Sequence, residues 1–258
     1  MNIIRRFVER ISRNKVIFRR IFVCRKEVPI FVSPGAQLKY WKIGKGVFDQ
    51  DLINIAERYI KKQSNVWDIG ANVGVFTFSA SSIVTDGQIL SIEADTWLVG
   101  MLRKTARLAY YQNKKIAIFP VAVSDKKSIA NFMIAERGRA CNALESAGGR
   151  SMMGGCREMQ YVPTITLDSL SESFLPPSFI KIDIEGSELL AINGAQNIIN
   201  NIRPVFYIEV GSNVLKSILD IFNIANYQAY HPNGDVCTDL SGYPPNIIFI
   251  PKEKTNNL

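Results

Sequence analysis

The residues with the clearest chemical potential in this 258-residue chain are acids and glycines that follow short apolar runs. Asp68 ends one such run and is followed by Gly70, Asn72 and Gly74. Glycines four residues apart allow positive φ angles and close backbone approach, so the turn can present N–H groups and a helix N-terminus to a ligand. Residues 65–83 therefore predict a strand, a tight turn and a helix that together bind a small molecule.

Further acids follow the later apolar runs of the chain, namely Glu93, Asp183, Glu185 and Glu209. The carboxyl ends of parallel strands meet at one edge of a sheet, where ligands bind. A carboxylate at Glu93 can accept hydrogen bonds from two vicinal ribose hydroxyls, whereas a solvated strand end is the structural alternative. Asp183 and Glu185 point the same way if their strand continues through them, although Lys181 could instead pair with one of them.

The elements that must position these residues follow from the apolar periodicity. It predicts one α/β domain at residues 45–258, preceded by residues 1–44, which hold an amphipathic helix and two short strands at 28–32 and 38–43. Within the domain the predicted strands are 65–69, 88–93, 116–120, 128–134, 161–166, 179–185, 203–210, 227–230 and 246–250. Helices are predicted at 49–61, after Gly74, at 96–112, up to Gly194 and at 213–226. The turn Pro232–Asp235 predicts that the last two strands form a hairpin.

Two regions between these elements have separate interpretations. Ala122 and Val123 follow the third strand and can form a slot for a flat ring such as adenine. Residues 136–160 lack periodicity and predict a lid or acceptor-specificity loop, with disorder without function as the alternative. The polar residues that could contact an anionic or polyhydroxylated acceptor there are Arg137, Arg139, Asn142, Arg150 and Arg157.

The formal charge of +8 is concentrated at the N-terminus. Residues 1–26 hold nine basic residues and one acid, Glu9, while the remaining 232 residues are balanced. A neutral body argues against a nucleic-acid partner. The first residues form a cationic amphipathic helix that either lies on an anionic membrane surface or docks on the domain with a solvated basic face. With no apolar run long enough to span a membrane and no signal-peptide pattern, we expect a cytoplasmic protein, peripheral to the inner membrane face in the first case.

The four cysteines form no C-x-x-C pair and are expected to be free thiols, without a zinc site. The spacing predicts no dedicated metal site, although the converging carboxylates would be suitable oxygen ligands. A histidine side chain is a candidate for proton transfer, but His231 lies beside a Pro-Asn-Gly turn, where a solvated histidine is the commoner explanation.

Several segments together resemble one enzyme family. They are D-I-G-A-N-V-G at 68–74, I-E-A-D at 92–95, A-V-S-D at 122–125, T-L-D-S-L at 166–170, F-I-K-I-D-I-E-G-S-E-L at 179–189, R-P-V-F-Y-I-E-V at 203–210 and N-I-I-F-I-P at 246–251. In this order they are similar to motifs of the FkbM family of methyltransferases. The resemblance implies a class I methyltransferase (Rossmann-like) fold: a mostly parallel seven-stranded sheet with helices on both faces and a C-terminal antiparallel hairpin.

The resemblance also implies S-adenosylmethionine as donor and, usually, a hydroxyl acceptor of a glycan, lipid-linked or natural-product kind in bacteria. Asp68 would then be an anion near the sulfonium and ammonium groups; a helix-capping role is the alternative. The donor-binding residues implied are Asp68, Gly70, Ala71, Asn72, Gly74, Glu93, Ala94, Ala122, Val123 and Asp183. For catalysis we expect Asp183 or Glu185 to handle the proton and Glu209 to orient the acceptor.

Two other classes of protein remain to be weighed. A protein that keeps the fold for binding alone has no physical need for the acids at Asp68, Glu93, Asp183 and Glu185. A nicotinamide-dependent oxidoreductase would carry G-x-G-x-x-G, whereas this chain reads D-x-G-x-N-x-G, and it would lack the closing hairpin.

Overall fold

The computed structural model describes residues 3–44, 46–147, 154–237 and 245–257. Its N-terminal layer consists of helix α1 (Ile3–Ser12), strands β1 (Ile17–Val23) and β2 (Lys26–Val32), and helix α2 (Gln50–Tyr59). The two strands pair as an antiparallel hairpin, and the Asp49 carboxylate caps α2 by accepting the Asp51 N–H. The prediction of a strand at 38–43 was wrong, because residues 38–41 form a 3-10 turn.

The missed strand of this layer is β1. Its alternating residues Phe18, Arg20 and Phe22 are exposed, whereas Ile21 and Val23 are buried. Arg19 and Arg20 in the middle of the strand interrupt the apolar run that would predict it. The buried side of the hairpin packs in one apolar cluster with two helices of the domain, α3 (Val75–Ile83) and α4 (Thr96–Ala106), so the layer covers that flank of the sheet. The division of the chain at residue 44 stays a prediction.

The domain contains the remaining elements in this order: β3 (Val66–Ile69), α3 (Val75–Ile83), β4 (Ile89–Ile92), α4 (Thr96–Ala106), β5 (Ile116–Phe119), β6 (Ala122–Val123), β7 (Ser128–Ala135), β8 (Ala143–Leu144), β9 (Cys156–Ile165), α5 (Leu167–Leu170), β10 (Phe179–Ile182), α6 (Glu188–Asn193), β11 (Val205–Glu209), α7 (Leu215–Ile224), β12 (Tyr227–Tyr230) and β13 (Asn246–Pro251).

Seven of these strands form the central sheet in the order β12-β13-β11-β10-β3-β4-β5. The neighbours from β11 to β5 are parallel, and β13 runs antiparallel between β11 and β12. The predicted fold class is therefore confirmed. The turn at 232–235 closes a single bridge between Tyr230 and Val236 and does not join β12 to β13 directly.

Helices cover both faces of this sheet because successive residues of each strand point to opposite sides. Trp67 packs in a cluster with residues of α6 and α7, whereas its neighbour Val66 packs with residues of α2 and α3. The short strands have fully buried side chains on both faces, as expected for a parallel sheet between two helical layers.

A second sheet of four strands, in the order β6-β9-β7-β8, includes residues 143–144 and 156–160 of the segment 136–160. Strand β9 begins at Cys156 and pairs antiparallel with β7 along its length, and β8 pairs on the other side of β7. The prediction of one irregular loop at 136–160 was therefore wrong over these strands. Many exposed residues on β9 hide the alternation that would have predicted it.

Candidate active site

Four parallel strands of the central sheet end in one row. The register joins Ile92 of β4, Ile69 of β3, Ile182 of β10 and Ile208 of β11. The residues that follow this row are Glu93, Gly70, Asp183 and Glu209. The register thus brings three of the predicted acids to one edge, beside the predicted glycine turn. Strand β10 ends before Asp183, so the expectation that it continues through Glu185 was wrong.

A cavity of about 560 Å³ lies at this edge, within the usual size range of small-molecule sites. The predicted donor-binding residues that line it are Gly70, Ala71, Asn72, Glu93, Ala94, Ala122, Val123 and Asp183. The predicted catalytic residues Glu185 and Glu209 line it too. Asp68 and Gly74 do not.

Gly70 is required by the close approach of two strand ends. Its φ is +74°, and a Cβ atom there would lie 1.9 Å from the carbonyl oxygen of Asp183. Gly74, with φ +91°, begins α3, and a Cβ would meet the side chains of Leu102 and Phe78 at 2.6 Å. Gly74 therefore shapes the turn from behind the cavity, and its expected contact with the donor stays a prediction.

Asp68 lies beneath the cavity and does not reach it. Its carboxylate is fully buried, accepts a 2.6 Å hydrogen bond from the Thr77 hydroxyl and lies 3.2 Å from the Lys181 Nζ atom. The strand register explains this position: Asp68 is paired with Lys181, one row before the last paired row, and lies two residues before Gly70. In the structure its charge is paired inside the sheet, and its expected role as an anion near the donor stays a prediction. Thr77 is in the first turn of α3, so Asp68 ties that helix to β3 although it is not the helix cap.

Lys181 is a cavity residue that the sequence presented only as a partner for an acid. Its Nζ atom donates to the Gly70 carbonyl at 2.7 Å and lies 3.4 Å from the Asp183 carboxylate. Burial by itself lowers the pKa of Lys181, but the charges of Asp68 and Asp183 outweigh burial, and the pKa is raised overall. Lys181 therefore stays charged and fixes the glycine turn and Asp183 relative to each other.

Glu93 lies at the tip of β4 with both carboxylate oxygens in use. One oxygen accepts the Asn72 N–H at 2.8 Å and the other accepts the Asp95 N–H at 2.9 Å. Burial raises the pKa of Glu93 to about 7, although these two backbone donors lower it. Each oxygen retains a second lone pair, so the carboxylate can still accept hydrogen bonds from a ligand in the cavity.

Asp95 is a structural acid for which the sequence analysis assigned no role. One oxygen caps α4 by accepting the Trp97 N–H at 2.9 Å. The other accepts hydrogen bonds from the Arg139 guanidinium and, at 2.8 Å, from the Asn142 amide. The Arg139 guanidinium carbon also lies 4.9 Å from the Trp97 ring centroid. The capping position before a helix was the signal that could have identified it.

These contacts hold residues 136–144, here called the strap, across the cavity. On its other side the strap is held by backbone hydrogen bonds from Arg139 N–H to Gly35 O and from Ala140 N–H to Ala36 O. Arg139 and Asn142 line the cavity and donate hydrogen bonds to Asp95, and their expected role as acceptor contacts stays a prediction. The other predicted contacts differ: Arg137 lines the cavity, Arg157 does not, and Arg150 lies outside the described residues.

Glu9 of α1 is a further acid that lines the cavity, together with residues 36–40. The N-terminal layer therefore builds part of the wall, which no sequence motif indicated.

His231 does not line the cavity, and its backbone N–H donates to the Asp235 carbonyl in a surface turn. Across the described ranges, the acids, cysteines and histidine form no group of three or more arranged to hold a metal ion. All four cysteines are free thiols.

Comparisons with known proteins bear on the identity of this site. No curated protein matches the chain at a significant level. An FkbM methyltransferase from Methylobacillus flagellatus KT has 16% identity and a TM-score of 0.48 over 84% of this chain; the chain spans 58% of that protein's length. A precorrin-6y C5,15-methyltransferase from Geobacter metallireducens GS-15 has 11% identity and a TM-score of 0.45, covering 81% of this chain and 92% of its own.

A 16S rRNA N2 G1207 methyltransferase from T. thermophilus, in complex with AdoMet and guanosine, has 12% identity and a TM-score of 0.47, covering 92% of this chain and 50% of its own. These structural similarities are weak. The sequence model of the methyltransferase FkbM domain, in contrast, matches residues 68–229, more than half of the chain. The chain therefore belongs to the FkbM family of methyltransferases, whose methyl donor is S-adenosylmethionine.

Proposed function

We propose that this chain transfers a methyl group from S-adenosylmethionine to a hydroxyl oxygen of a sugar, glycan or natural-product acceptor. The observation that carries the proposal is that Asp183, Glu185 and Glu209 line the same cavity as the glycine turn and Glu93. A carboxylate can act as the general base that accepts the proton of an acceptor hydroxyl.

The residues of the cavity fit the donor. Gly70, Ala71 and Asn72 of the turn line the cavity, and the absence of a side chain at Gly70 lets the turn lie against the backbone of Asp183. Glu93 offers two oxygens to the ribose hydroxyls, and Ala94, Ala122 and Val123 offer small apolar surfaces for the adenine ring. The remaining acids can face the charged methionine end of the donor.

Bound S-adenosylmethionine supplies an electrophilic methyl group on a sulfonium. The protein must then hold the acceptor oxygen about 3 Å from that carbon and in line, which provides much of the rate gain. A hydroxyl is a weak nucleophile at neutral pH, so Asp183 or Glu185 accepts its proton as the new C–O bond forms and the S–C bond breaks. Glu209 orients the acceptor, and Lys181 fixes Asp183 through their ion pair.

Other acceptors and roles lead to different outcomes. Relatives by fold include RNA and precorrin methyltransferases, and the expectation that this chain does not act on nucleic acid stays a prediction. A scaffold that binds the donor without turnover would retain donor affinity but methylate no acceptor. A nicotinamide-dependent enzyme would bind NAD, for which the turn lacks the third glycine.

Donor binding is tested by calorimetric titration with S-adenosylmethionine, its demethylated product and NAD. We expect binding of the first two and none of NAD. Gly70→Ala should abolish binding, because the added methyl group collides with the Asp183 carbonyl. Gly100→Ala is the matched control, since a Cβ there meets nothing within 4 Å. Absence of donor binding to the wild-type protein would contradict the proposal.

Turnover is tested with a panel of hydroxylated acceptors and radiolabelled donor, with RNA included as a separate arm. Asp183→Asn and Glu185→Gln should identify the base, since loss of a general base lowers turnover about 100-fold or more. Glu209→Gln should raise the KM for the acceptor. The donor Kd of the Glu185 and Glu209 variants should change by less than about threefold. Wild-type turnover in all three variants would remove these carboxylates from the mechanism, and methylation of RNA alone would refute the acceptor class.

A further inference from the structure

From Phe7 to Ser12, where its side chains are described, helix α1 docks on the protein by polar residues and exposes apolar ones. Phe7 and Ile11 are 64% and 48% exposed, whereas Glu9 and Ser12 are buried. At 3.6 residues per turn, the first pair lies about 150° around the helix from the second. A helix on the surface of a soluble domain normally buries its apolar stripe, so the exposed side of α1 calls for another partner.

Specific contacts fix this orientation of α1. The Ser12 hydroxyl accepts a hydrogen bond from the Trp41 indole at 2.7 Å and donates to the Val8 carbonyl at 2.6 Å. Arg13, directly after the helix, forms an ion pair with Glu136 at the start of the strap. The helix therefore cannot turn its apolar side inward without breaking these contacts.

Strand β1 extends the pattern immediately after α1. Phe18 and Phe22 are exposed on one face of the strand, and Val16 before it is exposed as well. Single exposed apolar residues are ordinary on protein surfaces. Here five occur within sixteen residues, and they are named the N-terminal apolar residues: Phe7, Ile11, Val16, Phe18 and Phe22.

The charge around these residues indicates the kind of partner. Residues 1–26 have a net charge of +8, while the rest of the chain is neutral. The exposed basic residues of this segment include Arg10, Lys15, Arg20, Arg25 and Lys26. Apolar side chains interleaved with exposed cations match the boundary between the acyl chains and the anionic headgroups of a membrane.

We propose that the N-terminal apolar residues and their basic neighbours bind an anionic lipid surface. Phe7 and Ile11 enter the boundary between headgroups and acyl chains, and Arg10 and Lys15 contact lipid phosphates. The arrangement places the membrane about one helix diameter from the cavity, because Glu9 on the other side of α1 lines it. A lipid-linked acceptor would be presented at that distance from the cavity. This consequence rests on the proposed function, whereas lipid binding itself does not.

The test is sedimentation of the full chain with vesicles of phosphatidylcholine alone or with 30 mol% phosphatidylglycerol. We expect binding to the anionic vesicles only, weakened by salt. Phe7→Ser with Ile11→Ser should reduce binding at least tenfold, whereas Ile129→Ser with Ile224→Ser, which removes two more exposed apolar side chains elsewhere, should not. Arg10→Ser and Lys15→Ser should each reduce it about fivefold, from about 1 kcal/mol per cation near the surface.

Two results would overturn the proposal: wild-type protein that does not bind anionic vesicles, or binding that the Phe7 and Ile11 changes leave intact. Light scattering on the same samples identifies the main competitor. If those changes dissociate a dimer that ignores vesicles, the apolar side of α1 is a subunit interface. Thermal melting and donor titration of each variant show that it is folded, so failure here is distinguishable from failure of the proposed methyl transfer.

Discussion

The Glu93 carboxylate should make the stability of this protein depend on pH, and Glu93→Gln should remove that dependence. The carboxylate is buried at the strand tip, and its pKa is raised from 4.5 to about 7, chiefly by burial. The folded protein therefore holds this proton more tightly than the unfolded chain does. The resulting stabilisation is fully present below pH 4.5 and is lost as the pH rises through about 7.

The magnitude follows from the size of the change in pKa. At 1.36 kcal/mol for each pH unit, a rise from 4.5 to about 7 corresponds to about 3 kcal/mol of unfolding free energy. Most of this loss, about 2–3 kcal/mol, falls between pH 5 and pH 8. Glutamine carries no titrating charge, so the variant loses none of it. Its single carbonyl oxygen can accept only one of the Asn72 and Asp95 N–H groups, which is a cost that does not change with pH.

The assay is urea unfolding of both proteins at pH 5 and pH 8 without donor, followed by tryptophan fluorescence. The unfolding free energy of Glu93→Gln minus that of the wild type should be about 2–3 kcal/mol larger at pH 8 than at pH 5. Glu172→Gln, which removes an exposed acid, is the control and should show no such gain. A change below about 0.5 kcal/mol for Glu93→Gln would refute the reasoning from burial.

Donor titration of the same variant tests the ribose contact. Hydrogen bonds to a charged group contribute about 1.5–3 kcal/mol, so Glu93→Gln should weaken S-adenosylmethionine binding about 10- to 100-fold at pH 8. Wild-type affinity should rise with pH through about 7 as Glu93 ionises, and the variant should lack that step. Equal affinity of the two proteins at pH 8 would remove Glu93 from the donor site.

Two further predictions concern buried ion pairs. Lys181→Met should destabilise the fold by about 3–5 kcal/mol in urea unfolding, because it leaves the buried Asp68 carboxylate without its cation. Adding Asp68→Asn should restore at least about 2 kcal/mol of that loss. Additive losses in this double-mutant cycle would show that the two residues are not coupled. Arg139→Gln should weaken donor binding about tenfold in calorimetry, because it frees the strap from Asp95. Arg103→Gln, which changes an exposed arginine, is the control and should not weaken it. Unchanged affinity of Arg139→Gln would show that the strap does not shape the donor site.

The central fold could be predicted from sequence because its signals are local. Each strand of the parallel sheet is a short apolar run, and the glycine turn with Gly70 and Gly74 marks the first strand-to-helix junction. Strand β1 and residues 156–160 of β9 could not be predicted, although the sequence predicts strands at 128–134 and 161–166 of the second sheet. The two missed segments are partly exposed and carry charged residues, and the pairing that stabilises β9 comes from β7, a partner distant in sequence.

The candidate site could be predicted only as far as the register allowed. Glu93, Asp183 and Glu209 follow the last row that is paired between the parallel strands, so any correct alignment of these strands brings them to the edge. The strap and Glu9 reach the cavity through tertiary contacts that leave no periodic pattern in the sequence. Arg139 was assigned to the acceptor because a charged residue in an irregular segment gives no sign that a buried helix cap such as Asp95 engages it.

The acids of this site divide into two kinds, and their depth in the sheet decides which kind each one is. Asp68 lies two positions before Gly70, so it faces Lys181 within the sheet, where an ion pair must balance its charge. Asp183 lies one position beyond the last paired row, where its side chain is partly exposed and lines the cavity. Lys181 contacts both, so one buried cation links the acid that builds the turn to an acid that faces the ligand. A motif shows only that acids follow strands; the register determines which of them can meet a substrate.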